Sequence, residues 1–275
     1  MSNEPSFDAL LPADMAAKVE AVGVAKATLP LSRMIPLGLL AGAFIGLGAH
    51  FSTVITADTA LSPGISRLLG GLVFSLGLVL VVVSGAELFT GNTLIVVAAV
   101  DRKVTPTAVV RNWVVVYLAN FVGAAATAAL VHASGRLGAG DGSVGERAVA
   151  IAEAKAGLTF GNALASGILA NALVCLAVWM TLSARSLVDK VVVIVPPITA
   201  FVASGFEHSI ANMYFFPVAL FHGTPEGSPA TWSSFLVDNL VPVTLGNIGG
   251  GAVLVGLVYW FVYLRRPGSQ SVHTR

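Results

Sequence analysis

The chain is short of charge. Only 11% of its 275 residues are Asp, Glu, Lys or Arg, against about 25% in soluble proteins. That is too little polar surface to clothe a soluble domain of this size. What charge exists nearly cancels, at +1, and no basic run occurs, so nothing points to nucleic acid. There is one cysteine, Cys175, inside an apolar run. It cannot form an intrachain disulfide and carries no information about redox compartment. The apolar runs hold no His, Cys and Asp cluster with metal-ligand spacing. No metal, cofactor or catalytic residue is therefore implied, and an intramembrane enzyme built on Glu207 and His208 has neither nucleophile nor metal to work with. The paired Asn-Pro-Ala turns and Arg filter of water and glycerol channels are missing too. The N-terminus lacks a basic stretch followed by an apolar core, so it does not read as a cleavable signal.

Apolar residues are what the chain has, at 56%, together with 29 glycines. Small residues let helices approach closely in lipid, where packing replaces the hydrophobic effect. About 20 apolar residues span a bilayer. Six runs qualify: 35–56, 68–100, 110–133, 158–183, 191–221 and 243–264. The second and fifth are too long for one straight helix. Each is interrupted, at 85–92 and at 204–212, and Pro196-Pro197 predicts a kink early in the fifth.

The two interruptions share a frame. Ser84-Gly85-Ala86-Glu87 is followed after four residues by Asn92, and Ser204-Gly205-Phe206-Glu207 after four by Asn212; the shared positions are 120 residues apart. A second echo pairs Leu118-Ala-Asn120-Phe-Val-Gly123 with Leu245-Gly-Asn247-Ile-Gly-Gly250. Six spans in two halves of three run in opposite directions, which makes an inverted 3+3 repeat with broken second and fifth helices. Such paired breaks are the best sequence pointer to a transport site. Eleven of the fifteen Lys and Arg fall on the connections that share a side with the termini, placing both termini in the cytoplasm. Trp113, Trp179, Trp232, Tyr259 and Trp260 fit an interfacial belt.

The expected layout is a cytoplasmic segment at 1–33, a transmembrane domain at 34–266 and a cytoplasmic tail at 267–275. From Pro12 onward the first segment carries a helical pattern, with Met15, Val19 and Val22 on one face. It reads as an interfacial helix or as a mobile cover over a pore. The stretch 134–157 is the longest outer connection, Gly-rich at first.

An ionisable group at membrane depth costs about 2.5–3.5 kcal/mol on insertion scales and is a functional-site candidate by default. Glu207 and His208 sit side by side at the second break, and Thr90 lies at the first. The half-helix after each break offers free N–H groups and the positive end of its dipole to a small anion. His208 reads either as a titratable pore residue or as a buried neutral imidazole. Glu207 reads as a tuner of His208 or as a carboxylate satisfying the break, since Glu87 repeats it where no His stands. Lys155 is a vestibule charge or a solvated lysine; Asn171 is a pore residue or an interhelical hydrogen bond. Phe74, Leu78, Leu88, Phe89 and Phe201, taken singly, are packing.

Taken together, the runs Gly-Gly-Leu-Val-Phe-Ser-Leu-Gly-Leu (70–78), Gly-Ala-Glu-Leu-Phe-Thr (85–90), 167–180, Phe-Val-Ala-Ser-Gly-Phe-Glu-His-Ser-Ile-Ala-Asn-Met (201–213) and 238–247 resemble the formate/nitrite transporter family, most nearly its formate channels. The opening 7–16 resembles them as well. The resemblance implies an all-α, aquaporin-like six-helix protomer, five in a ring, each with its own pore, in a bacterial inner membrane. It implies a pathway for formate and other small monocarboxylates or monovalent anions, with nitrite and hydrosulfide channels as neighbours in the family. Thr90 and His208 would flank the central site, and Glu207 and Asn171 would bond to His208 or tune it. Lys155 would draw the anion in, and Phe74, Leu78, Leu88, Phe89 and Phe201 would form apolar constrictions. Thr90-Gly91-Asn92 departs from the family pattern at the turn of the first break.

Overall fold

The computed structural model describes residues 9–57 and 60–265. The opening residues and the expected tail at 267–275 lie outside the described residues. Every regular element among the described residues is helical. In chain order they are α1 (Pro12–Ala27), α2 (Leu31–Thr56), α3 (Pro63–Ser84), α4 (Phe89–Val100), α5 (Pro106–Ala133), α6 (Ser143–Ala156), α7 (Phe160–Thr181), α8 (Leu187–Ala203), α9 (Ser209–His222) and α10 (Ser234–Leu264). Of these, α2, α3, α5, α7 and α10 are long and apolar enough to cross a bilayer. The helices α8 and α9, of 17 and 14 residues, are each shorter than a span and are joined through the turn at Gly205.

Proline opens several helices where its missing N–H is no loss: Pro12, Pro63 and Pro106 all stand in first turns. The α8 helix runs through Pro196 and Pro197 without ending. The helix α3 is interrupted at Ser75, whose hydroxyl donates to the Leu72 carbonyl at 2.6 Å. In α10 the turns widen to π-helix over Ser234–Asn239, Gly249–Leu257 and Trp260–Leu264.

Two differences from the sequence reading have clear causes. The outer connection 134–157 contains α6, whose Val144, Ala148 and Ala152 form one buried stripe. The Gly-rich start of the segment hides that stripe. The last helix begins at Ser234 rather than 243, because Asn239 interrupts the apolar run in sequence yet is buried in the fold, 1% exposed.

Helix α1 is docked. Its Met15, Ala16 and Val19 pack with Leu94 and Val97 of α4, Cys175 and Trp179 of α7 and Val255 of α10. Lys18 donates to the Leu182 carbonyl at 2.7 Å, and Lys103 pairs with Glu20. Burial pushes the Glu20 carboxyl above its ordinary range, and the Lys103 ammonium opposes this.

The duplication seen in sequence recurs in the packing. A Cβ on Gly123 of α5 would run into the Leu39 carbonyl of α2, and one on Gly250 of α10 would run into the Ile168 carbonyl of α7. Both crossings therefore bring backbones closer than any other residue allows.

Candidate functional site

The site is built on two matching turns. Gly85 ends α3 and Gly205 follows the end of α8, both at φ +73°. That left-handed backbone favours glycine. The next amide in each turn reaches back five residues, Ala86 to the Val81 carbonyl at 2.9 Å and Phe206 to the Phe201 carbonyl at 3.0 Å. These are Schellman-type closures. After each turn α4 and α9 start with buried residues, inside the apolar body.

One buried asparagine holds each restart. The Asn120 amide donates to the Gly38 carbonyl at 2.8 Å and the Glu87 carbonyl at 2.9 Å, while its oxygen accepts from the Phe89 N–H at 2.9 Å. The Asn247 amide donates to the Gly167 carbonyl at 2.8 Å and the Glu207 carbonyl at 3.0 Å, while its oxygen accepts from the Ser209 N–H at 2.9 Å. The first amide of each half-helix is thus taken by a side chain. The free N–H groups expected at each restart are therefore partly occupied: buried donors left open are costly, and the sequence supplies partners for them.

The two glutamates are held in the same way. Lys155 donates to Glu207 at 2.8 Å, and the second carboxylate oxygen accepts from Asn212 at 2.7 Å and Asn239 at 3.2 Å. Lys26 donates to Glu87 at 2.7 Å, and the second oxygen accepts from Asn92 at 2.7 Å. Asn92 continues to Asn112 at 2.9 Å, as Asn212 continues to Asn239 at 2.6 Å. Asn112 returns to the Lys26 carbonyl at 3.0 Å, as Asn239 returns to that of Lys155 at 3.3 Å. Both carboxylates are buried with a partner on each oxygen, which is what a charge at this depth requires.

Thr90 and His208 stand where the duplication fails. Their counterparts 120 residues away are Ile210 and Leu88. The Thr90 hydroxyl lies 2.9 Å from His208 Nε2, and both residues are at most 2% exposed. His208 Nδ1 accepts the Ala211 N–H at 3.1 Å, so the ring is also the N-cap of α9. A neutral ring that accepts at Nδ1 carries its proton on Nε2. Nε2–H therefore donates to Thr90, which leaves the Thr90 hydroxyl proton free for another acceptor. The Thr90 carbonyl is tied down by Thr93 at 2.6 Å and Asn171 at 3.2 Å.

Two cavities approach this pair from opposite sides and share no lining residue. One, of about 420 Å³, runs from Arg67 and Arg147 past Lys155, Phe74 and Phe201 to His208. The other, of about 220 Å³, runs from Lys26 to Leu78, Leu88 and Gly91, next to Thr90. Phe74 and Phe201 meet edge to face at 5.6 Å between centroids, and Phe201 lies over the His208 ring at 5.8 Å.

Of the residues singled out in sequence, His208, Thr90, Lys155, Glu207, Phe74, Leu78, Leu88 and Phe201 lie at this pair or line one of the cavities. Two others take the packing alternative left open in sequence rather than the pore role that the resemblance implied. Asn171 does not reach His208; its amide binds the Thr90 carbonyl, Thr93 and, at 2.6 Å, the Asn247 carbonyl. Phe89 lines neither cavity, and its ring packs on Tyr117 at 4.9 Å and Trp113 at 6.3 Å. The Glu207 carboxylate also turns away from the imidazole, towards Lys155 and the asparagines. Lys26, Asn112, Asn239 and the two cavity arginines were missed in sequence. A signal for two of them was present: Asn112 and Asn239 each precede Asn120 and Asn247 by eight residues.

Comparison with known proteins agrees with this architecture. Residues 13–261 match the family model described as formate/nitrite transporter. The chain is 44% identical over 280 residues to the formate channel FocA of Escherichia coli strain K12, covering 96% of this chain and 98% of that one. Among solved structures, it is similar to a pentameric formate channel with formate bound, at TM-score 0.80 and 44% identity over 86% of this chain and 98% of that one. It is also similar to an FNT family ion channel, at TM-score 0.81 and 32% identity over 90% and 98%. These relatives are membrane channels and not enzymes. A multi-pass helical protein with two buried half-helices meeting at a threonine and a histidine is thus, by sequence and by fold, a member of the formate/nitrite transporter family.

Proposed function

We propose that this protein is a transmembrane channel for formate and similar small monovalent anions, with His208 as the group that makes passage pH-dependent. The observation that carries this reading is the Thr90–His208 bridge standing between two separate cavities, with aromatic and aliphatic side chains on either side of it. An anion entering an apolar constriction loses its hydration without gaining a partner, and the neutral acid avoids most of that penalty. The anion gathers at the Lys155 side and meets the Thr90 hydroxyl at mid-pathway. There it takes a proton, and it crosses as neutral acid.

The geometry supports one route for the proton. A neutral His208 that gave up its Nε2 proton would become an imidazolate, so the ring must first be protonated at Nδ1. That proton displaces the Ala211 N–H from its only side-chain acceptor. Proton delivery is thereby coupled to loosening the first turn of α9.

The matched contacts at the two breaks support an aquaporin-like arrangement of six spans in an inverted repeat, α8 and α9 together making the fifth. The charge bias supports cytoplasmic termini, with Lys26 on that side, and the family supports a bacterial inner membrane. The exposed apolar faces of α5 and α10 suit lipid and neighbouring subunits, and the pentameric relative supports a homopentamer.

The test is formate flux into proteoliposomes across a pH series with wild type, His208→Asn and His208→Phe. Loss of the pH dependence in both variants is expected. Uptake by them that keeps the wild-type pH profile removes His208 from the mechanism. Parallel runs with acetate, lactate, nitrite and hydrosulfide decide selectivity.

A further inference from the structure

The mouth of the Lys155 cavity carries two cations that the pathway described above does not use. Arg67 is on α3, and Arg67, Gly70 and Phe74 form one cavity-facing stripe at helical spacing. Arg147 is on α6, where Arg147, Ala150, Ile151, Ala154 and Lys155 form another. At about 1.5 Å per residue, Arg67 stands roughly 10 Å above Phe74 along its helix, and Arg147 about 12 Å above Lys155. The two arginines therefore sit ahead of the aromatic pair, and not at the central site.

Neither has a carboxylate within ion-pair distance among the described residues. Arg147 is half-buried and lines the cavity, and its Nε donates to the Thr56 hydroxyl at 3.1 Å. Arg67 is exposed at the rim. Burial and the nearby Arg67 charge hold the Arg147 guanidinium below its usual value, a sign that the two cations feel each other. The charged residues lining the cavity are Arg67, Arg147, Lys155 and Glu207. Lys155 and Glu207 neutralise one another at 2.8 Å, so two positive charges remain uncompensated among the described residues.

We infer that Arg67 and Arg147 form a binding station for small divalent oxyanions at the mouth of this cavity. Guanidinium forks match the paired oxygens of sulfate, phosphate or carboxylate. A divalent oxyanion balances both charges, where a monovalent one leaves the second unmet. It goes no further, because a single proton leaves it charged at the Phe74–Phe201 constriction. An occupant at this place stands in the way of monovalent traffic and acts as a competing plug.

Two measurements test the station, the first of them independently of the channel reading. The first is isothermal titration of the intact detergent-solubilised protein with sodium sulfate, against sodium chloride at matched ionic strength. Saturable sulfate binding is expected, weakened at least tenfold in Arg67→Gln/Arg147→Gln and less in Arg67→Lys/Arg147→Lys, which keeps both charges but loses the forks. This arm reads binding whether or not formate permeates. The second is formate uptake into proteoliposomes with external sulfate, where inhibition is expected in wild type and its loss in the glutamine pair. Sulfate that behaves as chloride does, or binding unchanged in the glutamine pair, overturns the proposal.

Discussion

Asn120 and Asn247 perform the same task on opposite breaks, each bonding the first amide of a half-helix and the carbonyl of the preceding glutamate. Neither side chain touches a cavity. Their replacement by alanine strands three buried polar groups at once, and each stranded group costs about 1–3 kcal/mol. Asn247→Ala is expected to lower the thermal unfolding temperature markedly and to abolish flux. A melt of the detergent-solubilised protein beside the flux assay checks both.

The two Lys–Glu pairs differ in exposure, and that difference sets their sensitivity. Removing one partner of a buried pair costs about 3–5 kcal/mol, because the other charge is left unmatched. The Lys155 side chain is 14% exposed and that of Lys26 is 28% exposed. Water can partly replace Lys26, so Lys155→Met is expected to destabilise more than Lys26→Met. Adding Glu207→Gln to Lys155→Met should restore much of the loss. Thermal unfolding of the three variants provides the comparison.

His208 has two separable duties, as a cap and as a titrating ring. Asparagine caps a helix and does not titrate; phenylalanine does neither. Loss of an N-cap costs about 0.5–2 kcal/mol. His208→Phe is therefore expected to lose both stability and the pH dependence of flux, and His208→Asn only the latter. If His208→Asn keeps the wild-type pH profile, the ring is a cap alone.

Phe201 and Phe89 are both buried phenylalanines near a break, yet only Phe201 faces a cavity. Truncating either to alanine costs about 3–5 kcal/mol in a packed core. Phe201→Ala should in addition admit acetate and lactate more readily relative to formate. Phe89→Ala should leave that ratio alone, which uptake of the three acids by both variants measures.

Much of this was readable in the chain because the signal is local. The frame Ser-Gly-x-Glu then Asn sits within nine residues, and it marks both turns, both glutamates and the position of His208. The partners of those glutamates were harder. Lys26 and Lys155 lie 61 and 52 residues from Glu87 and Glu207, in segments that look like a terminal helix and an outer loop. Loops of unequal length also shift the repeat, from 120 residues at the breaks to 127 at Asn120 and Asn247, so no single offset reveals the whole set. Phe89 and Asn171 show the opposite problem. Their residue types suited a pore, and only the direction of the side chain, set by packing against Tyr117 and by the carbonyl of Asn247, says otherwise.

The ammonium that answers Glu87 is carried by α1, ahead of every helix long enough to cross the bilayer. Shortening the protein from its front end is consequently no cosmetic edit. A truncated form lacking the first 27 residues would leave Glu87 with Asn92 but without its cation, a buried negative charge beside the cavity that Lys26 now lines.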